Sequence, residues 1–268
     1  MINFLHTFHP TSIIFQIGPV AIHWYGLLMV IGGLLGFFII LKLAEKYKIE
    51  KKFFEDLLFW WVLGAIIGAR IYYVVYAWEM YKDNLIDILK IWEGGLAVHG
   101  IILGGFVATF IYCRIKKKEF LLIADLCATS LVAAQIIGRV GNYFNQEIFG
   151  KPTTLPWGIP IEPAFRPEQY ADFEFFHPTF IYESLGNILI LLVLLFVHNL
   201  RFKKRDFLPG QVLFGYLTAY SILRFCLEFL RTDYSPLVFG VRWAQLLSAI
   251  IILISIILIS IRSARRRC

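Results

Sequence analysis

Six charged or titratable side chains interrupt stretches that are otherwise apolar: Arg70, His99, Arg139, Glu183, Arg224 and Glu228. A charged side chain in a lipid-embedded helix costs about 2.5–3.5 kcal/mol on insertion scales, so each one marks a candidate site. Their types suit a reaction at phosphate. Arginine stays protonated and offers a planar fork to phosphate oxygens. A phosphodiester carries one negative charge, and its phosphate gains charge when a substituent departs. Fixed guanidiniums in a dry site would stabilise that gain. His99 has an ordinary pKa of about 6.5, suited to accepting a proton near neutrality, and Gly94, Gly95 and Gly100 beside it would let a ligand approach closely. The bland alternatives stay open here: a membrane histidine more often packs than reacts. Tyr220, Arg224 and Glu228 share one helix face at four-residue spacing, which could serve only as a structural ion pair.

The elements that must position these groups are transmembrane helices. The chain is 59% hydrophobic, with a mean hydropathy of +0.69, against about 45–50% apolar for a soluble domain. Crossing the bilayer takes about 20 apolar residues. Stretches near 19–41, 53–76, 96–113, 120–140, 178–199, 209–230 and 240–261 meet that length or approach it. They predict an all-α integral membrane protein of about seven transmembrane helices, a single membrane domain over 1–268. Residues 1–18 contain no Lys or Arg, so they lack a signal-peptide n-region and the first apolar segment is expected to be retained. The four cysteines form no C-x-x-C pair and read as small buried hydrophobes.

The net charge of +7 does not point to nucleic acid, because Lys and Arg form short clusters between apolar stretches and no continuous basic face. Seventeen basic residues follow segments 1, 3, 5 and 7, and six lie on the opposite side. The positive-inside rule then predicts an outside N-terminus and a cytoplasmic C-terminus. In that orientation His23, Tyr25, Arg70, His99, Arg139, Asn142, His177, Glu183, Arg224 and Glu228 all fall in the outer half, which predicts one hydrated cavity open to the outer leaflet and a phospholipid substrate. Asp125 is the exception. It lies 14 residues before Arg139, about 21 Å along a helix, so a structural hydrogen bond is expected of it. Residues 77–95, with Trp78, Tyr81 and Trp92, suit an interfacial outer segment. Residues 141–177, with five prolines, read as a small ordered periplasmic or extracellular cap. Gly32 and Gly36, Gly64 and Gly68, and Gly100 and Gly104 are spaced for close helix packing.

Residues 138–150, Gly-Arg-Val-Gly-Asn-Tyr-Phe-Asn-Gln-Glu-Ile-Phe-Gly, closely resemble the G-R-x-G-N-F-x-N-x-E-x-x-G signature of bacterial prolipoprotein diacylglyceryl transferases, with Tyr143 where Phe is usual. Other blocks resemble that family in the same order: His23-Trp24-Tyr25-Gly26, Gly68-Ala69-Arg70, Gly94 through Gly100 (with Ile101 where a further Gly is common), His177-Pro178 with Tyr182-Glu183, and Arg224 through Glu228, Phe229 and Arg231. The resemblance runs from about residue 13 to 235. It implies an enzyme of the bacterial plasma (inner) membrane that moves the diacylglyceryl group of phosphatidylglycerol to the thiol of the lipobox cysteine of a prolipoprotein signal peptide. The products are a thioether and glycerol phosphate, and no metal or organic cofactor takes part. It also implies a functional set of Tyr25, Arg139, Asn142, Glu147, Gly150, Arg224 and Glu228, with His99.

The roles expected from the chemistry are these. Arg139 and Arg224 hold the phosphate, and His99 assists loss of the thiol proton; these three are the catalytic candidates. Tyr25, Asn142, Glu147, Tyr220, Glu228 and Arg70 bind or orient the substrate, and Gly150 permits a tight turn. Two rival readings use the same charges: an anionic-solute secondary transporter, which would favour repeats and a midplane site, and another phospholipid head-group enzyme. A non-catalytic lipid-binding scaffold is disfavoured by the buried His and Arg set.

Overall fold

The computed structural model describes residues 6–18, 20–204 and 208–264. Arg205, Arg265, Arg266 and Arg267, which entered the charge asymmetry, and Cys268 lie outside the described residues. Seven long helices lie among the described residues: α1 (Trp24–Lys46), α2 (Lys51–Tyr76), α3 (Val98–Ile115), α4 (Phe120–Phe144), α5 (Thr179–Lys204), α6 (Gln211–Leu227) and α7 (Trp243–Ala264). Six are long and apolar enough to cross a membrane; α6 is equally apolar in character but only 17 residues long.

Two of the ends that differ from the expected spans have a visible cause. The first helix begins at Trp24, because Val20–His23 forms a strand paired antiparallel with Ile13–Ile17. β-branched residues in that hairpin satisfy each other's backbone outside the helix. The sixth stops at Leu227, three residues early. Beyond it the Leu230 carbonyl accepts the Lys151 N–H at 2.7 Å and Arg231 bridges to Gly150, which draws the chain out of helical geometry.

The packing is inverted relative to a soluble protein. Leu34, Val75, Ile102, Leu189 and Leu253 are all exposed, whereas Asp125, Asn142, Glu183, Asn187, His198 and Glu228 are buried. Lipid is the solvent that makes such a surface favourable, and polar groups then gather inside.

The chain divides into two compact units, Leu41–Ala124 and the remainder. In the first, α2 and α3 pack backbone against backbone. A Cβ on Gly64 would sit 2.7 Å from the Gly104 carbonyl oxygen, and one on Gly104 would collide with that of Gly64; Gly68 and Gly100 oppose each other likewise. We expect Gly104→Val to destabilise the unit by about 3 kcal/mol or more, since neither facing backbone can yield. Thermal unfolding in detergent reads this, and an unchanged midpoint would contradict it. Residues 78–93 form three 3-10 turns, Trp78–Met80, Leu85–Leu89 and Ile91–Glu93, with Met80, Ile86, Leu89 and Trp92 exposed.

In the larger unit Gly32 and Gly36 of α1 lie against the Ala134 and Ser130 carbonyls of α4, each 2.8 Å from where a Cβ would be. Ala128, Val132, Ile190, Leu194, Val212 and Tyr216 form the apolar core of α4, α5 and α6. Asp125 fastens one end of it. Its carboxylate accepts the N–H groups of Gly210 and Leu213 at 2.8 Å each and pairs with Arg201 at 3.0 Å. It therefore caps the N-terminus of α6 from a neighbouring helix, placing negative charge at the positive end of the dipole. Asp125→Ala should cost about 3 kcal/mol, because a buried ionic partner and the acceptor of two backbone N–H groups go at once. The readout is the unfolding midpoint, and near-wild-type stability would refute the capping role.

Between α4 and α5 the chain folds into a small layer. Phe149, Ile159, Ile161, Phe176 and Phe180 form its apolar cluster. Ile159–Pro160 pairs antiparallel with Phe175–Phe176, and Gly150 and Lys151 exchange backbone bonds with His177.

Candidate active site

α4, α5 and α6 each project one charged residue into the same polar network. Arg139 on α4 pairs with Glu183 on α5 at 2.8 Å. Tyr220 on α6 donates its hydroxyl to the same Glu183 oxygen at 2.9 Å. Glu183 also lies within electrostatic reach of Arg224, one turn beyond Tyr220. Arg224 pairs with Glu228 at 2.7 Å, and the other Glu228 oxygen takes Arg242 at 2.7 Å. The two arginines expected to converge thus share one carboxylate neighbour.

Burial separates the signs. The Glu183 and Glu228 side chains are only 2% and 1% accessible, while Arg139, Arg224 and Arg242 keep 24%, 19% and 23%. The carboxylates hold the guanidiniums from behind, and the cations present the open face. Arg139, Arg224 and Arg242 are therefore the groups placed to meet phosphate oxygens.

The segment after α4 brings in the remaining candidates. Asn142 accepts from Arg139 at 3.3 Å and donates to Glu147 at 2.8 Å; Asn145 donates to the same Glu147 oxygen at 3.2 Å. To turn Glu147 back toward Asn142 the backbone enters the left-handed region at Gln146 (φ 50°) and Ile148 (φ 57°). For a β-branched residue that conformation costs about 1–3 kcal/mol and persists only where neighbours enforce it. Thr179 does so by donating to the Ile148 carbonyl at 2.6 Å, and the Gln146 amide accepts the Glu162 N–H at 2.7 Å. Gly150 is needed for space, not for the tight turn expected of it. It sits in an extended bridge where a Cβ would lie 2.7 Å from Thr179 Cγ2 and 2.9 Å from the Leu230 carbonyl oxygen. The Tyr25 ring covers Gly141, where a Cβ would come within 2.8 Å of it, and this sets Tyr25 beside Asn142 along α4.

Neighbouring groups are neutral or balanced. Burial pushes the His177 imidazole below its ordinary pKa, and its Nδ1 lies 3.1 Å from the Tyr182 hydroxyl. Burial raises the Asp233 carboxyl, but the Arg231 guanidinium bonded to it at 2.6 Å, with Arg224 and Arg242 nearby, outweighs that and holds it below the usual carboxylate value.

Arg70 and His99 belong to the smaller unit. Arg70 is buried and donates to the carbonyls of Asp87, Ile88, Gly94 and Gly95 at 2.6–3.0 Å, and to that of Lys90 at 3.4 Å. Gly95 (φ 77°) leaves room for that fork, which a side chain would occupy. His99, in the first turn of α3, is exposed and stacks on Tyr72 with centroids 5.6 Å apart.

Glu183 and Arg242 extend the set expected from sequence. Glu183 had been noted for its depth but given no role. The hairpin of Leu237–Val238 with Val241–Arg242 returns Arg242 to Glu228.

Fold and site together describe a multi-pass membrane protein with three guanidiniums gathered on two buried carboxylates. A family profile described as prolipoprotein diacylglyceryl transferase matches residues 12–261. The chain is 44% identical to the phosphatidylglycerol–prolipoprotein diacylglyceryl transferase of Acaryochloris marina, over 90% of this chain and 86% of that protein. It is 43% identical to the one of Trichormus variabilis, over 89% and 85%, and 42% identical to the one of Thermotoga maritima, over 90% and 81%. The chain belongs to the prolipoprotein diacylglyceryl transferase family.

Proposed function

We propose that this chain transfers the diacylglyceryl group of phosphatidylglycerol to the thiol of the lipobox cysteine of a prolipoprotein, in the bacterial inner membrane, with its site toward the outer leaflet. The observation that carries the reading is the cluster of Arg139, Arg224 and Arg242, partly accessible beside two buried carboxylates. Family membership favours it over an anionic-solute transporter or another head-group enzyme.

Cysteine Sγ attacks the glyceryl carbon that bears the phosphoester oxygen. The S–C bond forms as the C–O bond breaks, the electron pair leaves with oxygen, and glycerol phosphate departs with one more negative charge than the diester held. Arg139 and Arg224 receive that charge. Such preorganised donors act most strongly where water is excluded. The thiol, with an ordinary pKa of about 8.5, gives its proton to a base, and His99 is the group proposed for it. Tyr25, Asn142, Glu147 and Tyr220 orient the head group, with Glu228 aiming Arg224. Arg70 takes a positioning role in place of a substrate contact, since its donors hold the segment that leads into His99.

The test mixes purified protein, phosphatidylglycerol vesicles and a lipobox peptide, followed by mass spectrometry. A diacylglyceryl adduct is expected on the cysteine peptide and none on its serine counterpart. No adduct, or equal adducts on both, would refute the reaction.

A further inference from the structure

Asn187 is fully buried, yet neither its Oδ1 nor its Nδ2 has a hydrogen-bond partner among the described residues. Its place in the fold is well bracketed. One turn earlier on the same face of α5, Glu183 joins Arg139 of α4 and Tyr220 of α6. One turn later, Ile190 packs with Val132 of α4 and Tyr216 of α6. Ser184 donates to the Ile136 carbonyl at 2.9 Å, and a Cβ on Gly186 would lie 2.5 Å from Leu223. Asn187 therefore points into the three-helix interior, between the ionic network and the apolar core.

A second orphan belongs to the partner of Glu183. Arg139 Nε is buried without a partner, on the guanidinium that pairs with Glu183. At the same level Gln135 and Tyr216, one turn from Arg139 and Tyr220 on their own helices, bond to each other at 3.1 Å. The interior thus holds a second polar tier of Gln135, Asn187 and Tyr216 beneath the charged one.

A buried amide with both ends unpaired is unfavourable, and proteins satisfy such groups with internal water making about three hydrogen bonds. We propose that Asn187 builds a buried water site under the Arg139–Glu183 pair. The water donates to Asn187 Oδ1 and accepts from Arg139 Nε, and Asn187 is a positioning residue that fixes the angle of the Arg139 fork. The hydration site stands on geometry alone; its effect on turnover rests on the function proposed above.

Two readouts keep these apart. A high-resolution experimental map of the full chain is expected to contain non-protein density within hydrogen-bond distance of Asn187. An amide touching only apolar atoms overturns the site whatever the activity. Asn187→Leu, apolar and similar in volume, should lower kcat/KM for phosphatidylglycerol about ten-fold, because it displaces the water and leaves Arg139 Nε unpaired. Asn187→Ser, which retains a hydroxyl and room for water, should stay within about three-fold of wild type. If Asn187→Leu does not fold, Asn187→Ala replaces it against Asn187→Ser on the same measure. Equal kcat/KM in the polar and apolar variants overturns the positioning role.

Discussion

Arg139→Ala is expected to lower diacylglyceryl transfer by about a thousandfold or more, the loss seen when a preorganised charge-stabilising donor is removed from a dry site. Several effects coincide at this residue. Its guanidinium is one of three accessible cations, it neutralises the buried Glu183, and it anchors Asn142. Without it Glu183 keeps only the Tyr220 hydroxyl among the partners described, and a buried carboxylate is left without its cation. Arg139→Lys should recover part of the rate at most, because a point charge cannot pair with Glu183 and hold a phosphate oxygen in a fixed fork. Single-turnover transfer to a lipobox peptide measures both variants. Near-normal rates in Arg139→Ala would remove this residue from the mechanism.

Glu228→Gln should lose about a hundredfold in transfer and about 3 kcal/mol or more in stability, although it changes no shape. Each Glu228 oxygen faces a different guanidinium, Arg224 on one side and Arg242 on the other, both at 2.7 Å. An amide must turn its –NH2 toward one of them, donor against donor, and the two cations then repel across the gap. Arg242 is further tied to the Arg231 and Asp233 carbonyls, so the strain falls on Arg224, the freer of the two. Transfer rate and unfolding midpoint should fall together. A variant stable and active at wild-type level would show that Glu228 does not aim Arg224.

The sequence already contained much of this site. Charges inside apolar stretches are costly enough to be conspicuous, and helical spacing alone put Tyr220, Arg224 and Glu228 on one face. Glycines four apart correctly marked where α2 meets α3 and where α1 meets α4. Partners across helices were not legible, because periodicity fixes the face and depth of a residue but not which neighbour it turns toward. Glu183 was therefore visible as a buried charge without its claim on Arg139. Arg242 was hidden by a two-strand hairpin too short to leave a pattern. Arg70 was misleading in the opposite sense: its depth suggested a ligand, while its donors are occupied by five carbonyls of the segment after its helix, residues 87–95. The strained backbone at Gln146 and Ile148 left no sign either, since Ile is the last residue type that a left-handed position would suggest.

The shortness of α6 has a consequence for the membrane itself. Seventeen residues extend about 25 Å, less than the roughly 30 Å of hydrocarbon in a typical bilayer. Asp125 pins one end of that rod, and the other end carries Arg224. Lipids beside α6 must therefore shorten or disorder to meet it, at a modest cost for each ångström of mismatch.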